Sequence, residues 1–87
     1  MDVADAVARA MKYVCGEDAV FLRPAPDKVT DALCIYRDGG VKRVEFGYIL
    51  FLTTYLKELR EGGLENTTEF RTALEELKLL LEKELGR

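Results

Sequence analysis

The chain has 87 residues, 48% of them hydrophobic and 33% charged, with a formal net charge of −3. That mixture excludes a disordered chain and suits one small domain, which at this length buries about 60–65% of its unfolded surface. There is no His, Ser, Gln or Trp, and Asn66 is the one asparagine, so there is no imidazole to act as a base or bind zinc, and no serine nucleophile.

The negative balance argues against wholesale capture of nucleic acid or anionic lipid, which depends on basic side chains displacing counterions. The longest apolar run, Tyr48-Ile49-Leu50-Phe51-Leu52, is too short to cross a bilayer. The acidic start Met1-Asp2-Val3-Ala4-Asp5 does not resemble a secretion signal, so a cytoplasmic, membrane-free protein is expected. Scarce Asn and Gln beside abundant Glu, Lys and Arg lean toward a thermophilic source.

The first predicted element is a helix from about Asp2 to Cys15, on which Val3, Val7, Ala10, Met11 and Val14 recur at helical spacing. Asp2 is its predicted N-cap and Gly16 its left-handed stop. A short β run, Ala19 to Arg23, is halted by Pro24-Ala25-Pro26. Residues 27–31 read equally as a helical turn or a strand entry.

The clearest β signal is Ala32–Tyr36 and Val41–Phe46 flanking Arg37-Asp38-Gly39-Gly40. Asp-Gly suits a tight primed turn, so about 32–46 is a predicted hairpin with one buried and one wet face. A lone hairpin is marginal in water, so it needs Ala19–Arg23 as a third strand or a helix over it. From Tyr48 to Glu61 the period becomes helical, with Tyr48, Phe51, Leu52, Tyr55, Leu56 and Leu59 on one face and Gly62-Gly63 closing it. The last predicted helix has Asn66 as cap, with Glu69 reaching back and Leu64 stapled to Phe70. Its stripe is Phe70, Leu74, Leu77, Leu81 and Leu85. The short connection makes the last two helices an antiparallel pair.

The expected architecture is α+β: an N-terminal helix, a small antiparallel sheet built on the hairpin, and a C-terminal helix pair. A mostly helical fold with a peripheral hairpin is the alternative. The expected core is Val7, Met11, Val14, Val44, Phe46, Phe51, Leu52, Tyr55, Leu59, Phe70, Leu74, Leu77 and Leu81.

Cys15 and Cys34 form no CxxC motif and have no His to complete a metal set. They read as small buried hydrophobes, with a disulfide as the alternative. Asn66-Thr67-Thr68 fits a helix cap better than a glycosylation site, and neither Gly-Gly pair precedes the Lys-Ser/Thr of a phosphate loop. An acid/base pair would have to come from Asp27 and Asp31, or from Asp31 and Glu45 across the hairpin. A helix-turn-helix reader is disfavoured, because Thr67, Thr68, Glu69 and Arg71 would open an otherwise acidic recognition helix.

Two constellations remain. Leu79 projects away from the apolar stripe of the last helix, and Leu50 stands apart near Thr54, Lys57 and Glu61. Both suit seats for a partner, most simply a second copy in a dimer. The hairpin tip gathers Arg37, Lys42 and Arg43 beside Tyr36, a set able to grip phosphates and stack a base. The expectation is a self-associating interaction or adaptor domain with no cofactor, no metal and no catalysis. A nucleic-acid accessory protein is the alternative.

Overall fold

The computed structural model describes residues 1–86. Helix α1 (Val3–Cys15) begins where its cap was expected. Asp2 accepts the Asp5 N–H at 2.9 Å while Asp5 accepts the Asp2 N–H at 3.1 Å, so each carboxylate satisfies a donor that the first turn leaves orphaned. Gly16, at φ 81°, ends the helix and donates its N–H to the Lys12 carbonyl at 2.8 Å.

Three strands follow, β1 (Ala19–Ala25), β2 (Lys28–Tyr36) and β3 (Val41–Val44), forming one antiparallel sheet in the order β1-β2-β3. The architecture is α+β, with both supports the hairpin needed. Two details differ from expectation. β1 runs on through Pro24, which pairs with Ala32; a proline is tolerated there because β1 is an edge strand and needs no outward N–H. Residues 28–31 are therefore strand, turning back at Pro26-Asp27. The second turn is wider than a two-residue primed turn. Tyr36 N–H donates to the Gly40 carbonyl and Gly39 N–H to the Tyr36 carbonyl, both at 2.9 Å. Only Gly39, at φ 91°, adopts a positive φ in this turn, so the connection is a three-residue loop with glycine at its left-handed position.

Helices α2 (Gly47–Glu61) and α3 (Thr68–Glu84) complete the chain. At the end of α2, Leu64 N–H reaches the Leu59 carbonyl at 2.8 Å and Gly63 N–H the Arg60 carbonyl at 3.1 Å, with Gly63 at φ 76°. This is a Schellman ending, and Leu64 packs on the same core as Leu59. Thr67, not Asn66, caps α3: its hydroxyl accepts the Phe70 N–H at 3.2 Å and donates to the Leu64 carbonyl at 2.7 Å. One hydroxyl thus closes the loop and starts the helix. The shift by one residue puts Phe70 where a reciprocal Glu would have to stand.

Packing is one-sided. Directly paired residues in adjacent strands project to the same face. The helix side of the sheet therefore carries Leu22-Cys34-Lys42 and Pro24-Ala32-Val44. Ala32 and Cys34 are fully buried under α1 and α2, and Ala6 and Ala10 are fully buried on α1. These small side chains let the layers approach closely, giving a slab of 36 × 35 × 15 Å. Cys15 and Cys34 are joined by a disulfide across a Cα separation of 5.7 Å, so the bridged alternative replaces the free-thiol reading. Sequence spacing could not show that the end of α1 lies over the middle of β2. Closing a loop of this length contributes about 3 kcal/mol. The Tyr36 hydroxyl adds a 2.7 Å bond to the Cys15 carbonyl.

Of the expected core, Val14, Leu52, Tyr55, Leu59, Phe70 and Leu77 are buried, and Val7, Met11, Val44, Phe51 and Leu74 are half-buried. Phe46 and Leu81 are exposed. The dry seam of α3 is Phe70, Ala73, Leu77 and Leu80, because α3 docks mainly on α2 and its last turn extends past it. Phe46 turns out of the strand alternation at φ 55°.

Gly47 starts α2 flush with the sheet: a Cβ there would stand 2.8 Å from the Cβ atoms of both Ala32 and Val44. Gly47→Ala is expected to cost about 1–3 kcal/mol in chemical denaturation; an unchanged midpoint would contradict this packing. Thr30 is 3% exposed, and its hydroxyl has no hydrogen-bond partner among the described residues. Thr30→Val is therefore expected to stabilise by about 1 kcal/mol, read as a higher denaturation midpoint.

Candidate interaction surface

The face of the sheet turned away from the helices is built from two cross-strand rows. Phe21 pairs with Ile35 and Ile35 with Val41; Arg23 pairs with Leu33 and Leu33 with Arg43. No described helix covers these rows, and none of their apolar members belongs to either core cluster. Phe21 is 51% exposed and Val41 64%, while Leu33 and Ile35, on the central strand, are half-buried. A strand apolar on both faces normally belongs to a sheet covered on both faces. β2 has that composition and only one cover.

The sheet edges are guarded differently. β1 carries Pro24, and β3 is four residues long with Lys42 and Arg43 in its middle. Proline, shortness and charge each discourage pairing of a further strand. What remains available is the face.

Beside the apolar rows stands a charged cluster. Arg43 Nε donates to Asp31 Oδ2 and Arg43 Nη1 to Asp27 Oδ1, each at 3.0 Å. Asp31, 4% exposed, also accepts the Phe46 N–H at 3.0 Å through Oδ1, and Lys28 Nζ lies 5.1 Å from the Phe46 ring centroid. Asp31 thus braces the left-handed residue that turns β3 into α2. The Phe46 N–H first, and the Arg43 guanidinium with it, hold the Asp31 carboxyl below its ordinary range. The hydrogen bond from Arg43 does the same for Asp27. Both are charged acceptors at neutral pH, with no proton to give as a general acid. Glu45 is exposed and makes no hydrogen bond or ion pair with them.

The tip set is dispersed. Tyr36 faces the helices and is tied to Cys15, Arg43 faces the other way and is tied to Asp27 and Asp31, and Lys42 pairs with the helix-side residue Cys34. Arg37 stays exposed at the turn near Glu17, Asp18 and Asp38. Leu50 and Leu79 also lie apart. Leu50 is 39% exposed beside Arg9, Tyr13 and Lys57. Leu79 is 63% exposed and lines a cleft with Pro24, Val29 and Leu80.

The sheet-face residues Phe21, Leu33, Ile35 and Val41 were not singled out in the sequence. The signal available was the uninterrupted run Ala32-Leu33-Cys34-Ile35-Tyr36, which has no wet face. No helix among the described residues is long and apolar enough to cross a membrane, and no group of His, Cys, Asp or Glu among them is placed to hold a metal ion. Comparison with protein families, curated proteins and solved structures finds no match.

Acid should act through Asp27 and Asp31. Their carboxyls titrate lower in the fold than the ordinary 3.8, so their stabilisation is present above that pH and is lost as pH falls through the folded values. At the other end, burial and the neighbouring Glu76 raise the Tyr48 hydroxyl well above its ordinary 10.0. Its contribution is full below pH 10.0 and lost on further rise. Denaturation midpoints followed against pH are expected to fall at both ends, and Arg43→Met is expected to flatten the acid limb alone. An acid limb unchanged in that variant would contradict the assignment.

Proposed function

We propose that this protein is a non-catalytic interaction module that self-associates through the open face of its sheet. The observation that carries the reading is the pairing of an apolar, half-covered central strand with exposed Phe21 and Val41. Such a face is self-complementary across a two-fold axis: the row Phe21-Ile35-Val41 of one copy covers the same row of another. Guarded edges favour a closed pair over an open-ended stack of strands. Charge supports a protein partner over a polyanion, because of the two arginines on the face Arg43 is matched by Asp27 and Asp31, leaving Arg23 alone to meet an anion. Asp27 and Asp31 are both engaged by Arg43, and the chain offers neither an imidazole nor a serine hydroxyl, which supports a role without catalysis.

This places association on the sheet rather than on Leu50 and Leu79, which occupy separate clefts. Sedimentation equilibrium is expected to show a dimer for the native chain. Phe21→Glu should weaken it by about ten- to a hundredfold, since each half-exposed Phe21 has about half of the 1.5–3 kcal/mol of full burial left to gain, and two copies contribute. Its circular dichroism should be unchanged, because Phe21 is exposed in the single copy. Leu79→Glu should leave the mass as it is. A native chain that stays monomeric, or a Phe21→Glu dimer as tight as the native one, would overturn the reading.

A further inference from the structure

On the helix side, away from the sheet face, a cleft of about 350 Å³ opens between α2 and the first half of α3. Its size is at the lower end of the range for ligand clefts. One wall is the aromatic ladder Tyr48, Phe51 and Tyr55, spaced three and four residues apart on α2. The rings stack with centroids 6.0 and 5.7 Å apart. The other wall repeats that spacing on α3 with Glu69, Thr72 and Glu76. An acidic row therefore faces an aromatic row, and no basic residue lines the space between them.

Among the described residues neither carboxylate has a counter-charge. The ion pairs among the described residues join other acids, and Arg71 is turned to the Thr68 hydroxyl at 3.2 Å. Glu76 is half-buried, and its one hydrogen bond is to the Tyr48 hydroxyl at 3.0 Å through Oε2, leaving Oε1 unused. Burial chiefly, and the charge of Glu69 with it, raises the Tyr55 hydroxyl, so the phenols of the wall stay neutral donors. Glu69 is exposed, but Glu76 is a partly desolvated carboxylate without a cation, which is costly. The opposite wall is electron-rich, and Tyr48 and Phe51, both half-buried, leave part of their rings open to the cleft, where a cation is attracted to the aromatic quadrupole. Both walls attract the same thing.

We propose that this cleft binds an arginine side chain of a partner segment, its guanidinium stacked on the α2 aromatic wall and paired with Glu69 and Glu76. Guanidinium fits better than ammonium because it is flat, weakly hydrated and able to stack on a ring while its edge donates to two carboxylates. The site lies on other elements than the self-association surface, and neither reading rests on the other.

The test is a titration with N-acetyl-arginine amide, followed by amide chemical shifts in two-dimensional NMR. N-acetyl-citrulline amide serves as the neutral isostere. Saturable shifts are expected at residues 48–55 and 69–76, with citrulline at least about tenfold weaker. The double variant Glu69→Gln, Glu76→Gln keeps an acceptor for Tyr48 and is expected to lose about tenfold or more. Phe51→Leu, which keeps apolar volume but removes a ring, should lose several-fold. Glu61→Gln with Glu84→Gln, the same charge change elsewhere, should lose less than twofold. Equal binding of citrulline, equal loss in the control pair, or no localised shifts at tens of millimolar would overturn the proposal.

Discussion

Everything in this fold depends on how closely two helices approach the middle strand. Ala32, Cys34 and Gly47 present almost no side-chain bulk where α1 and α2 meet the sheet, and Ala6 and Ala10 do the same where α1 faces its own neighbours. Small residues forgo apolar area but bring layers within contact distance, and dispersion then acts over many atoms. The Cys15–Cys34 bridge pins the end of α1 at that contact. Asp31 pins the start of α2 by holding Phe46 in a conformation that costs a non-glycine residue about 1–2 kcal/mol. With all three helices drawn to one side, the other side of the sheet is left bare.

Elements with strong local grammar were legible in the sequence. The Asp2 cap, the Gly16 stop, the glycine-rich hairpin turn and the helical period from residue 48 onward each depend on neighbours a few positions away, and each appears in the structure. What escaped depends on distant partners. Pro24 ends a strand by local rule, yet an edge position tolerates it. Leu81 looks more like core than Ala73 on hydrophobicity alone, but the placement of α3 on α2 buries Ala73 and leaves Leu81 at the rim. The disulfide needed the tertiary approach of α1 to β2. Phe46 continues an alternating pattern that a left-handed turn interrupts.

The candidate surface was hidden for a similar reason. Hairpin alternation suggested one wet face, and Arg43 and Glu45 fit that pattern. Phe21, Leu33, Ile35 and Val41 reveal themselves only once the register stacks them in one row or the next. Conversely, the basic tip looked like one patch because Tyr36, Arg37, Lys42 and Arg43 are close in sequence. The pleat sends Tyr36 and Arg43 to opposite faces and gives each a partner within the fold. The protein thus has two chemically distinct sides, an apolar sheet and a helix pair with acids facing aromatics.

The most direct measurement of the central claim is hydroxyl-radical labelling read residue by residue at low and high protein concentration. If the bare sheet is the meeting surface, Phe21 and Val41 lose reactivity as concentration rises, while Tyr13 and Leu79 on the helices, and Leu85 at the end of α3, keep theirs. Protection of the helical residues with Phe21 still fully reactive would contradict the account.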